Sequence, residues 1–141
     1  MGNTKIIFKK EHFNIETTQE FLKDFDEVCK TMDSDLFVKL FIKYDFYYDE
    51  SYREVLDLII NQTSNWYNPD LGTELLEVRT FDSKCAFCFF GKTVNGYEWT
   101  YINRLDKGIN SRITYSSKIG FIFEYENNNL IEFGVCNSFT D

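Results

Sequence analysis

Apolar and polar positions along this chain follow two different periods, and the change between them falls near its midpoint. In the segment Glu16 to Thr31, with Met32 just beyond it, Phe21, Leu22, Phe25, Val28, Cys29 and Met32 recur at i, i+1, i+4, i+7, i+8 and i+11. That is one stripe of a helix, and Thr17 with Glu20 offers a capping box at its start. Asp33-Ser34-Asp35 supplies caps for a second helix, Asp35 to Tyr44, with Leu36, Phe37, Leu40 and Phe41 on its stripe. Val38 and Ile42 lie off that stripe, so this helix expects cover on more than one side. After the connector Asp45 to Asp49, either Asp49 or Ser51 can cap a third helix carrying Tyr52, Val55, Leu56, Ile59 and Ile60; it ends in Asn61 to Asn65, residues that favour local side-chain bonding.

From Thr73 onward the period shortens to two. Thr73 to Phe81 reads as a strand turning at Asp82-Ser83. Lys84 to Arg104 reads as a hairpin closed at Asn95-Gly96, because Asn-Gly suits the two-residue type I′ turn. Pairing Val94 with Tyr97 sets Lys92 against Trp99, Phe90 against Tyr101 and Cys88 against Asn103. One face then carries Ala86, Cys88, Phe90, Tyr97, Trp99 and Tyr101, and the other Cys85, Phe87, Phe89, Thr93, Thr100 and Ile102. Both faces are apolar, so both need cover: helices on one, a second subunit or a ligand on the other. Arg112 to Ser117 reads as a further strand. Ile119 to Glu126 and Leu130 to Phe139 flank a three-residue loop, Asn127-Asn128-Asn129, that sets Phe123 opposite Phe133 and Tyr125 opposite Ile131, with Asn129 left-handed. A short strand or arm is expected at residues 4–10. Helices first and an antiparallel sheet of four to six strands afterwards define an α+β fold, expected as one domain over 1–141, with helices about 16–63 and sheet about 73–139.

Three amphipathic helices followed by aromatic antiparallel strands, ending in the hairpin GFIFEYENNNLIEFGV (120–135), resemble the ketosteroid-isomerase-like, nuclear-transport-factor-like α+β cone superfamily. The resemblance implies a curved sheet wrapped over the helices, a pocket at its wide end, and subunits that pair through the sheet. Enzymes, ligand binders and protein-interaction modules all use that cone, so fold alone leaves function open. In an isomerase of this type an Asp base and Tyr donors would sit in an apolar pocket, which puts Tyr44, Asp45, Asp49, Trp99 and Tyr101 in view without a motif to choose among them.

Charge sharpens the picture. Residues 1–83 carry 9 Lys/Arg against 17 Asp/Glu, whereas residues 84–141 carry 6 of each, so the net charge of −8 lies in the helical half. Nucleic-acid binding needs clustered Lys and Arg and is not expected; a basic protein partner suits the acidity better. No apolar run reaches the length of a membrane span and no leader pattern opens the chain, which argues for the cytoplasm, against the membrane, and for free thiols in the four cysteines, with the Asn61 sequon accidental.

Chemistry-bearing motifs are few. Cys85-Ala86-Phe87-Cys88 has CxxC spacing, but residues three apart on a strand point to opposite faces, and the remaining ligand candidates, Cys29, Cys136 and His12, are scattered. No metal or other cofactor is expected. A lone His12, no nucleophile elbow and no phosphate-binding glycine loop leave catalysis without a motif. The expectation is therefore a non-catalytic acidic binding protein, possible as an immunity protein or inhibitor of a basic toxin or nuclease. Asp24, Glu27, Asp35 and Asp49 would steer the partner, and Tyr97, Trp99 and Tyr101 would face partner or pocket. The alternative is a cone-type domain that binds or isomerises a small hydrophobic molecule.

Overall fold

A computed structural model describes residues 5–9, 14–48, 52–64, 70, 72–86, 89, 91–103 and 113–140. A short strand β1 (Lys5–Ile7) precedes three helices, α1 (Ile15–Cys29), α2 (Ser34–Lys43) and α3 (Tyr52–Ser64), with a 3₁₀ turn at Asp45–Tyr47 between the last two. Five strands follow: β2 (Thr73–Cys85), β3 (Thr93–Asn103), β4 (Thr114–Glu126), β5 (Asn129–Cys136) and β6 (Phe139–Thr140). They form one antiparallel sheet in the order β1-β5-β4-β3-β2-β6. The α+β class and its helices-then-sheet order are as the sequence implies.

Local chemistry explains the helix starts. Asn14, in extended backbone, caps α1 by accepting from the Thr17 N–H at 2.8 Å, so the cap lies three residues before the Thr17/Glu20 box. Asp33 caps α2 in the same way through Asp35 N–H. The cap of α3 falls outside the described residues.

The helices cover one face of the sheet. Phe21 and Phe25 of α1, Phe37 and Phe41 of α2, and Val55 and Ile59 of α3 are all buried against Trp99, Ile119, Phe121 and Phe133. Their rings meet edge-on: Phe25 and Phe121 lie 4.7 Å apart at 89°, the arrangement that sets a ring's positive edge against its neighbour's negative face. β1 buries Ile6 between β5 and the helices, and Phe8, just beyond it, bridges to Tyr48.

The strands depart from the sequence reading at five places: the strands expected at 112–117 and 119–126 are one continuous β4, the one expected at 130–139 divides into β5 and β6, and three differences concern turns and register. Asn95-Gly96 is not a turn. Both residues lie inside β3, paired with Asp82 and Phe81, and the β2–β3 connection is instead made over residues 86–92, where Gly91 takes φ +79°. Gly96 is needed for space: a Cβ there would stand 2.5 Å from the Ile119 carbonyl oxygen and 2.6 Å from the Phe81 ring. Likewise β2 runs through Asp82-Ser83 to Cys85, with its irregularity at the bulge between Leu75 and Glu77. At the last hairpin Phe123 does face Phe133, but Tyr125 pairs with Leu130 across a bulge, and the left-handed residues are Asn127 (φ 53°) and Asn128 (φ 68°), a two-residue type I′ turn.

Part of the second face is covered by the chain itself. Cys85, Val94, Ile122 and Cys136 form a small core there, under Phe89 of the β2–β3 connection and Phe139 of β6. Glycines make the seats: the Phe139 ring occupies the space a Cβ on Gly120 would need, and Phe89 does the same at Gly134. The rest of this face carries the ion pairs Arg79–Glu98, Lys118–Glu98, Lys92–Glu124 and Lys5–Glu132.

Chain length dictates the shape at this end. β5 and β6 are four places apart in strand order, about 19 Å across a flat sheet at ~4.8 Å per step. Cys136 and Phe139 are three residues apart, a reach of at most about 11 Å. The sheet must therefore curl over the second core at this end.

Candidate functional site

The acidic residues named from the sequence separate by role. At 100° per residue, Glu16, Glu20 and Glu27 fall on the outward side of α1, with Lys23 among them, while Asp24 and Asp26 lie on its two flanks. Asp24 turns toward α2. It accepts from Lys43 Nζ at 2.6 Å and from the Tyr44 hydroxyl at 2.8 Å; partial burial pushes its carboxyl up, and these two bonds outweigh that and hold it below the usual range. Asp26 turns toward the sheet and accepts from the Tyr97 hydroxyl, the main cause of its lowered pKa, and from Lys30 at 3.0 Å. Glu27 and Asp35 are exposed. Asp49 lies outside the described residues. Of the four proposed steering carboxylates, Asp24 is thus also a joint between helices.

The aromatic stripe of β3 faces the helices. Trp99 is fully buried and donates its indole N–H to the Cys29 carbonyl at the end of α1; this closes a backbone acceptor that the helix leaves open, and it removes Trp99 from any surface. Tyr101 is 4% exposed and stacks on Tyr115 at 5.9 Å. Those two rings border a cleft of about 380 Å³ together with Gln62 and Ser117, whose polar groups bond one another. Tyr97 alone of the three borders the cleft beside α1.

That cleft, about 260 Å³, opens where β2 and β3 continue past the helix. Leu22, Phe25, Phe123 and Tyr97 line it from the helix-facing side, and Phe81 and Gly96 complete the lining, with the Phe81 ring directed to the second face against Phe139. Its polar groups are Thr80, Asp82 and Asn95, the last two a cross-strand pair on the helix-facing side. Among the described residues none that lines it is basic. Asp82 and Asn95 carry turn signals, and only the strand register places them together at a cleft. Phe81 and Phe123 read from the sequence simply as apolar strand positions.

The described members of the set suggested by an isomerase pocket are not brought together. Tyr44 bonds Asp24 between α1 and α2, Asp45 is exposed on the 3₁₀ turn, Trp99 is committed to Cys29, and Tyr101 borders the other cleft. His12 and Cys88 lie outside the described residues. Cys29, Cys85 and Cys136 are all buried. Burial pushes the Cys29 thiol up, and burial with the Cys85 contact pushes Cys136 to about 11, so neither is a thiolate at neutral pH. Among the described residues no cluster of three or more His, Cys, Asp or Glu could hold a metal ion, and no helix is long and apolar enough to cross a membrane.

Fold and cleft together define an α+β protein with an acidic helix beside an aromatic recess. No protein-family model, curated protein or solved structure matches the chain.

Proposed function

We propose that this is a non-catalytic binding protein that engages a basic protein partner, in its narrower form an immunity protein or inhibitor of a basic toxin or nuclease. One observation carries the reading: α1, with five acidic residues to one basic, flanks a cleft that is walled by aromatic and aliphatic groups and has a carboxylate among its polar groups. Charges on the outward side of α1 raise the encounter rate, and the apolar recess beside them provides burial that slows dissociation. The alternative, a cone-type pocket for a small hydrophobic molecule, draws on the same recess. Its volume, about 260 Å³, falls below the 300–1,000 Å³ usual for such sites, and the Tyr97 hydroxyl is occupied by Asp26.

The test begins with the protein immobilised at low salt in an extract of its own cells, followed by rapid-mixing kinetics with whatever purified protein it retains. Glu16, Glu20, Glu27 and Asp35, changed to Gln or Asn, are expected to lower the association rate about tenfold and to flatten its dependence on salt, with dissociation nearly unchanged. Asp24 is left intact because of its Lys43 and Tyr44 bonds. An association rate indifferent to both salt and these changes rejects the steering role.

A further inference from the structure

We propose that the cleft between α1 and the β2–β3 end is a receptor for one lysine or arginine side chain of the partner. It rests on the partner-binding reading above and names what that partner inserts. Size is the first argument. A volume of about 260 Å³ is small for a drug-sized ligand and ample for a single long side chain.

Chemistry is the second argument. Lysine and arginine present an apolar stem and a charged head, and they bury the first while keeping the second among polar groups. The cleft has the matching division. Leu22, Phe25 and Phe123 offer hydrocarbon to the stem, and the Tyr97 ring offers a π face to the head.

Acceptors are the third argument. The Asp82 carboxylate and the Asn95 side-chain carbonyl stand directly across from each other on β2 and β3, as a carboxylate and a neutral acceptor that one cation can share. Basic groups around the cleft are turned to other tasks: Lys84, two residues from Asp82 on the same face of β2, donates to the Thr93 hydroxyl at 2.9 Å, and Lys30 pairs with Asp26. Within the described lining the one charged group is Asp82, with Lys84 held by Thr93 at its border, so the recess favours a cation over an anion.

The experiment isolates the side chain from the partner. The full-length ¹⁵N-labelled protein is titrated with n-butylammonium, n-butylguanidinium and n-butanol at matched ionic strength, and backbone amide shifts are followed at Thr80, Asn95 and Gly96. Both cations are expected to saturate those shifts, with n-butanol about fivefold weaker. Asp82→Asn, an isosteric change at an exposed position, brings the cations down to the level of n-butanol, and Asn95→Asp tightens them. Equal binding of n-butanol, indifference to Asp82→Asn, or no shift at these amides overturns the proposal. Each of those results leaves the association-rate test of the acidic helix standing, so the two readings fail separately.

Discussion

Tyr97 joins three parts of the molecule: its backbone belongs to the sheet, its ring borders the cleft, and its hydroxyl donates to Asp26 on α1. That bond favours the ionised carboxylate, so the folded pKa of Asp26 lies below the unfolded one. Stability from this source is complete above the ordinary carboxylate pKa and is lost as pH falls through the lowered one. Tyr97→Phe is therefore expected to lower unfolding free energy at pH 7 by about 1 kcal/mol, the charge assistance discounted because Asp26 is half in solvent. The deficit should shrink as pH falls from about 5 to about 3. Urea titrations of both proteins across that range check it; a deficit that stays constant with pH would mean that Tyr97 contributes only its packing. The Tyr97–Trp99–Tyr101 alternation was legible in the sequence. Which neighbours these rings meet was not, because α1 precedes β3 by about seventy residues and only tertiary packing brings them together.

At the level of elements, helices were the more legible half, since a 3.6-residue stripe reports a buried face wherever the partner lies. Strand register was harder to read. Asn-Gly is a strong turn signal, yet here Gly96 is selected by the crowding of the Ile119 carbonyl and the Phe81 ring, an environment set by two neighbouring strands. The type I′ turn sits at Asn127-Asn128, with both residues at positive φ. Asn128→Gly is accordingly expected to leave stability unchanged or raise it by up to about 1 kcal/mol, and Asn128→Ala to lower it by about 1 kcal/mol, while Asn129→Ala costs little. Thermal unfolding of the three variants orders them. The reverse order, with Asn129 the sensitive position, would restore the three-residue loop.

Across the whole molecule, the two apolar sheet faces were legible in the sequence, but the cover of the second was not. Part of that cover comes from within the chain, where Phe89 and Phe139 close over Cys85, Val94, Ile122 and Cys136. Phe139→Ala, in a Cys88→Ser background, is expected to cost about 2 kcal/mol and to open Cys85 and Cys136 to a thiol reagent, while Cys29, buried under the helices, stays slow. Equal protection of Cys85 and Cys136 with and without the Phe139 ring would show that the ring is not the cover.

The pairing of β1 with β5, and of β6 with β2, also bears on when this protein can fold. Phe133, the partner of Ile6, is added to the chain more than a hundred residues after it. Cys85 likewise waits for Phe139. Helices α1 to α3 can form during synthesis, but the sheet they rest on cannot be completed, so their apolar stripes must persist uncovered until translation has passed β6. The surplus of negative charge in that half then keeps nascent chains apart during the interval when their cores are open.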